Sequence, residues 1–226
     1  TSIAFSPDNK YLYLTGYIYK LDFWEASGNC YHVVYRMEYA KNEPPTVLIG
    51  KVDTDKAIGT DNKSFCVPTS LDVDDKGRLY VSDFGNNRIQ VFSADGEYLK
   101  SIPTTFPAKV VINPKTQEII VFSWKVIGPS EFVWKSKNLD LNKLPNTMSN
   151  LGTFENPKEG TPEVLPIKGG TGSGGWTENG GQIYSVVVDP YAEKESLWAV
   201  GRQPTLTLSE FGWSAGGYGQ TSGWMA

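Results

Sequence analysis

Four stretches of this chain share one frame, and that repetition limits the fold more than any other feature. They are TSIAFSPDNKYLYLTG from Thr1, TSLDVDDKGRLYVSD from Thr69, AKVVINPKTQEIIVFS from Ala108 and YSVVVDPYAEKESLWAVG from Tyr184. Each reads as an apolar strand, a turn built on Asp, Asn, Pro or Gly, and an alternating strand. The second unit continues furthest. Ile89 and Val91 alternate with Arg88, Gln90 and Phe92, Asp95-Gly96 marks a hairpin because primed turns need positive φ, and 98–102 adds another strand. Four short antiparallel strands in a row make a meander. A lone meander cannot bury both faces, so it needs neighbours of its own kind.

The expected fold is all-β, a β-propeller of four-stranded antiparallel blades, with a Greek-key β-sandwich as the rival. The blade-like units run about 1–53, 68–103, 106–168 and 182–214, with a Gly-rich loop at 169–181 and a Gly/Trp tail at 212–226. EVLPI, residues 163–167, is the expected outer strand of the third unit, and TLTLSEF, residues 205–211, a last alternating strand. The chain opens on a strand without an initiator Met and stops abruptly, so both ends read as cut.

The run D-x-x-G-x-L-Y-V-S-D-x-x-N-N-R-I-Q-V-F, from Asp74 to Phe92, resembles an NHL repeat. The match is close over 70–102; the other three units lack the N-x-R-I-Q half. The resemblance implies a β-propeller, usually of six blades, of which the four units form part; a complete four-bladed ring is the other arrangement they suit. Asp83 and Arg88 occupy the repeat's acidic and basic positions, which implies a structural pair orienting the loop between two strands.

Composition narrows the function. The 226 residues carry 13% aromatics and 23 glycines, suiting an all-β chain with many tight turns. No apolar run approaches the ~20 residues that span a bilayer. Net charge is −4 and the 21 basic residues are scattered among acids, so no nucleic-acid partner is expected.

In a blade, the loop between the second and third strands and the link to the next blade share one rim. Long segments load that rim at 20–30, 53–68, 83–87 and 125–131. Cys30 and Cys66 both fall there: a disulfide in an oxidising compartment or two unrelated thiols in a reducing one. Asn62-Lys63-Ser64 is an N-glycosylation sequon in the same link. Together they point to an extracellular or cell-surface protein.

Catalytic chemistry finds little footing. His32 is the sole histidine, which leaves a packed or hydrogen-bonded strand residue as the expectation and removes multi-histidine metal sites. Calcium could draw on Asp72, Asp83, Asn113 and Asp189, yet Asp72, Asn113 and Asp189 lie at or beside first-to-second strand turns, on the opposite rim, where such residues are the default. GTGSGG, residues 170–175, matches G-x-G-x-x-G without the helix that pattern needs. No cofactor is expected. The reading is an interaction or structural module with a protein or glycan partner, open to self-assembly; the alternative is a calcium-dependent hydrolase or lactonase of the related propeller class.

Overall fold

The computed structural model describes residues 2–18, 30–53, 57–124, 147–164, 182–189, 191, 196–202 and 221–225. Among them are four antiparallel sheets, each with its strands in chain order. The first holds β1 (Ser2–Phe5), β2 (Tyr11–Ile18), β3 (Cys30–Glu38) and β4 (Thr46–Asp53). The second holds β5 (Pro68–Val73), β6 (Leu79–Asp83), β7 (Arg88–Phe92) and β8 (Tyr98–Pro103). The third holds β9 (Pro107–Ile112), β10 (Ile119–Ser123), β11 (Thr147–Asn150) and β12 (Glu163–Val164). The fourth holds β13 (Gln182–Asp189), β14 (Ser196–Arg202) and β15 (Thr221–Met225).

One device makes the first turn of every sheet. Ser6 Oγ accepts the Tyr11 N–H, Asp74 Oδ1 those of Lys76 and Arg78, Asn113 Oδ1 those of Lys115 and Thr116, and Asp189 Oδ1 that of Tyr191. A short polar side chain thereby replaces the missing ladder partner. Gly77 and Gly96 close two of the three turns of the second sheet at φ of +78° and +83°, where a Cβ is strained.

The sheets stack in chain order. β5 packs on β1 and β2, β9 on β5 and β6, and β13 on β9. Three apolar layers result. Tyr13, Val34 and Ile49 meet Leu71, Leu79 and Val81; Tyr80, Ile89 and Val91 meet Val110, Ile112 and Val121; Ile120 and Phe122 meet Val186. Each such side chain contributes about 1.5–3 kcal/mol when fully buried.

The first strands of the second and third sheets each have one edge without a ladder partner, and side chains from the first strand of the preceding sheet cover it. Ser2 Oγ donates to Leu71 O (3.3 Å) and Thr69 Oγ1 to Pro107 O (3.1 Å). Ser70 Oγ donates to Val110 O and accepts its N–H, while Asp72 Oδ2 accepts the Ile112 N–H at 2.7 Å. These bonds blunt edges that would otherwise invite pairing.

The third and fourth sheets depart from the expectation in detail. β11 lies ahead of the expected outer strand of the third unit, whose 163–164 portion is β12. The third strand of the fourth sheet is Thr221–Met225, inside the expected tail and beyond the expected limit of 214. It pairs with β14 from Leu197↔Met225 to Gly201↔Thr221. TSGWM lacks the alternation that betrays a strand, so long-range pairing alone defines it. Residues 205–211 lie outside the described residues.

Candidate functional site

A dense polar cluster stands where the expected rim meets the second sheet. β6 ends at Asp83, a 3-10 turn follows at Phe84–Asn86, and Asn87 adopts left-handed φ of +55° before β7 starts at Arg88. Asp83 is wholly buried, yet four donors converge on it. Oδ1 accepts the Cys66 N–H (2.7 Å). Oδ2 accepts Asn86 Nδ2 (2.8 Å), Arg88 Nε (2.7 Å) and Gln90 Nε2 (3.1 Å). Burial pushes the carboxyl up from its ordinary range, against the pull of Asn86, the Cys66 amide and Arg88.

The same donors reach on to the incoming link. Asn86 Nδ2 bonds Gly59 O (2.8 Å), Arg88 Nη2 bonds Asp61 O (2.7 Å) and Ser64 O (3.3 Å), and Gln90 Nε2 bonds Ser64 O (2.8 Å). Residues 57–67 are thus held from beneath through their backbone. Asp61 Oδ1 and Oδ2 accept the Lys63 N–H and the Ser64 hydroxyl, tightening the tip. Thr60, Asp61, Asn62 and Lys63 remain exposed, while Ser64 of the sequon is buried.

Two strained residues lead from the rim into the inner strands. Val67 and Phe106, each just before a proline, have φ of +59° and +41°, which bulky residues rarely adopt. Each is held by a side chain of the preceding sheet or its corner: the Val67 N–H donates to His32 Nδ1 (3.0 Å) and the Phe106 N–H to Asn87 Oδ1 (2.9 Å). Burial pulls the His32 pKa down to about 4, which keeps Nδ1 an acceptor. Val67, Phe84 and Phe106 then join one apolar cluster.

The calcium candidates are scattered. Asp72 gives its two oxygens to the Ile112 and Val73 amides, Asn113 and Asp189 serve their own turns, and Asp83 sits at the far end of its sheet. Burial raises the Asp72 carboxyl pKa and lowers that of Lys109, whose nearest charged influence is Asp72. Among the described residues no three His, Cys, Asp or Glu side chains come together in a metal-binding group. Calcium takes about six to eight oxygen ligands, which these positions do not assemble.

Cys66 is half-buried beside the Asp83 corner. Cys30 opens β3, but its side chain lies outside the described residues, as do 19–29, 54–56, 125–131 and GTGSGG. A separate cavity of about 750 Å³ opens between the second and third sheets, lined by Ile102, Thr104, Ser123, Ser149 and Lys158 among others.

Sequence reasoning missed several of these contacts. Gln90 and Asn86 lie inside the resembling run and pointed there by pattern alone. The approach of His32 to Val67 left no local signal. A second buried carboxylate, Asp74, reads as a turn residue, yet it also accepts Arg78 Nε (2.5 Å) and the Tyr80 hydroxyl (2.9 Å).

The family model for the NHL repeat matches residues 65–92, the segment that holds Cys66, Asp83, Arg88 and Gln90. The chain carries an NHL repeat. Human NHL repeat-containing protein 3 is 40% identical over 68 residues, a match covering 28% of this chain and 20% of that protein. The chain therefore spans about a fifth of that relative's length. Among solved structures, a gluconolactonase from Xanthomonas campestris is 18% identical at a TM-score of 0.36, covering 54% of this chain and 33% of that one. Regucalcin from Agrobacterium tumefaciens, described as a calcium-binding protein, is 14% identical at a TM-score of 0.39, covering 61% and 42%. Neither likeness carries a substrate or an ion over to this chain. Within the NHL repeat the charged positions bind their own fold: the Asp83 oxygens are occupied by donors from Cys66, Asn86, Arg88 and Gln90.

Proposed function

We propose that this chain is an NHL-type β-propeller module that works outside the cell and presents the 57–67 link to a protein or glycan partner. One observation carries the reading: the Asp83 network fixes the link through its backbone and leaves Asp61, Asn62 and Lys63 exposed at the tip. A loop held this way binds at low ordering cost, because its backbone is arranged in advance. The stacking of β5 on β1 and β9 on β5 supports the ring. Catalysis needs titratable groups converging on one cleft; among the described residues Asp72 caps the Val73 and Ile112 amides, Asp74 and Asp189 serve turns, and Asp83 is held by four donors of its own corner.

An extracellular setting rests on the rim itself. Asn62 is exposed, as a glycan acceptor must be. Cys30 stands two residues before His32 on β3, and His32 reaches Val67, the neighbour of Cys66. This nearness supports a Cys30–Cys66 disulfide.

The test uses chain secreted from eukaryotic cells. Intact mass before and after deglycosylation, with and without reduction and alkylation, is expected to reveal a glycan at Asn62 and one disulfide. Arrays of ectodomains and glycans are then probed with wild type and Lys63→Glu, which is expected to lose binding while keeping its β-sheet spectrum. Binding indifferent to that substitution sinks the rim reading. Calcium-dependent turnover of a lactone would replace it with a hydrolase or lactonase.

A further inference from the structure

The second and third sheets correspond strand for strand. Each begins on a proline paired with the last residue of its second strand, Pro68↔Asp83 and Pro107↔Ser123, with a register shift directly beside the pair. Leu71↔Val81 and Val73↔Leu79 then answer to Val110↔Val121 and Ile112↔Ile119. The third strands follow the same register. Asp83↔Arg88 and Val81↔Gln90 answer to Ser123↔Thr147 and Val121↔Ser149, while Leu79↔Phe92 answers to Ile119, whose carbonyl accepts the Leu151 N–H. Asp83, Arg88, Gln90 and Phe92 therefore have Ser123, Thr147, Ser149 and Leu151 as their counterparts.

In the second sheet these positions grip a stretch of polypeptide. Arg88 and Gln90 donate to the Asp61 and Ser64 carbonyls, and the buried Phe65 ring meets Phe92 edge-on at 5.9 Å. In the third sheet all four counterparts line the cavity of about 750 Å³. The incoming links differ in length. The one between β8 and β9 is only Thr104, Thr105 and Phe106. Phe106 matches Val67 in its positive φ before a proline, and Ser123 Oγ holds the Thr105 carbonyl at 2.7 Å as Asp83 holds the Cys66 amide. This short link has no counterpart of Asp61–Phe65. Thr147 and Ser149 are also shorter than Arg88 and Gln90, and among the described residues neither hydroxyl meets a hydrogen-bond partner. Ile102 and Leu151 give the cavity an apolar floor. Its outer wall lies tight on β11 at Gly160, where a Cβ would stand 2.7 Å from Leu151 Cδ2.

We propose that this cavity is a docking site for an extended peptide of another protein, which takes the place that Asp61–Phe65 takes between the first and second sheets. The occupant follows from that internal precedent. Its backbone carbonyls accept from the Thr147 and Ser149 hydroxyls, and one apolar side chain rests on Leu151 and Ile102 as Phe65 rests on Phe92. Main-chain bonds supply affinity in such a mode, and the apolar anchor supplies selectivity. The volume falls within the range of about 300–1,000 Å³ usual for ligand sites. The site makes no use of the exposed tip at Asp61–Lys63, so it stands independently of the partner presented there.

The experiment selects random heptapeptides displayed on phage against the intact chain, then titrates the enriched sequences as synthetic peptides by fluorescence anisotropy. Wild type is expected to enrich peptides that share an apolar residue, and Ala at that residue is expected to weaken binding. Thr147→Arg and Thr105→Arg enter the cavity from opposite walls. Neither side chain is buried, so both variants are expected to keep the wild-type far-UV spectrum while losing affinity by about tenfold or more. Lys63→Glu, at the link tip, is expected to bind the peptides as wild type does, which separates this site from the one at the tip. No enrichment overturns the proposal, as when another part of the protein covers the groove. Peptides that bind both Arg variants as tightly as wild type overturn it too. So does an array on which glycans, and not peptides, bind in a manner that Thr147→Arg abolishes.

Discussion

The second sheet holds a buried aspartate at each end, and the two ends do different work. Asp83, at the rim, faces back along the chain: its donors Arg88, Asn86 and Gln90 continue to carbonyls of the 57–67 link. Asp74, at the opposite rim, faces forward. Its partner Arg78 also bonds Glu155 (2.9 Å) and covers the Phe154 ring at 3.9 Å, while Lys76 bonds Glu155 at 2.7 Å. Lys100 caps the same ring and donates to the Phe154 carbonyl. One end organises a loop around a wholly buried carboxylate whose partners lead on to backbone carbonyls; the other clasps the third sheet through Lys76 and Glu155, which water reaches. Charges of the same kind, a few residues apart in one repeat, therefore differ in energetic weight according to what surrounds them.

The largest effect should come from Asp83→Ala. It takes a wholly buried carboxylate from four donors, leaving Arg88 and Gln90 only the Asp61 and Ser64 carbonyls, and a loss of about 3–5 kcal/mol is expected by urea denaturation. Exposure of the 57–67 link to limited proteolysis should rise with it. If the variant unfolds at the wild-type midpoint, the rim network is ornamental and the comparison collapses.

The next effect is a pH dependence at the same end. His32 has a folded pKa of about 4, below the ordinary 6.5, so the folded protein binds fewer protons than the unfolded chain between those values. Its contribution is whole above about pH 6.5 and is lost as pH falls towards 4, up to about 3 kcal/mol. Stability curves at pH 7 and pH 4.5 measure it, and His32→Gln, which keeps an acceptor for Val67, is expected to flatten that difference.

A smaller loss is expected from Asp74→Ala, about 2 kcal/mol, because Arg78 retains Glu155 when its buried partner goes. A loss equal to that of Asp83→Ala would erase the distinction between the two ends. Glu155→Gln should be smallest. Lys76 and Arg78 pull the Glu155 pKa down to about 2, yet the carboxylate is exposed, so the shift in urea midpoint should shrink further at high salt.

Much of this was legible before any coordinates. The turns at Ser6, Asp74, Asn113 and Asp189 were readable because Asx-type capping is local, spanning two to five residues. Asp83 with Arg88 was readable from a repeat in which they stand five apart. His32 against Val67, 35 residues away, was not, and nor was the docking of Phe154 and Glu155 on Arg78. β15 escaped because its partner, β14, lies beyond eighteen intervening residues and its own pattern is broken by Gly223.

By itself the sequence determined the meanders: period-two burial and turn residues act over neighbours, so four antiparallel sheets follow from the string of side chains. Only the tertiary structure decided what those side chains are for. Whether an aspartate becomes a network centre, a backbone cap or a turn depends on groups brought to it from distant parts of the chain. So does which apolar face packs on which, because burial belongs to the pair of sheets and neither one carries it alone.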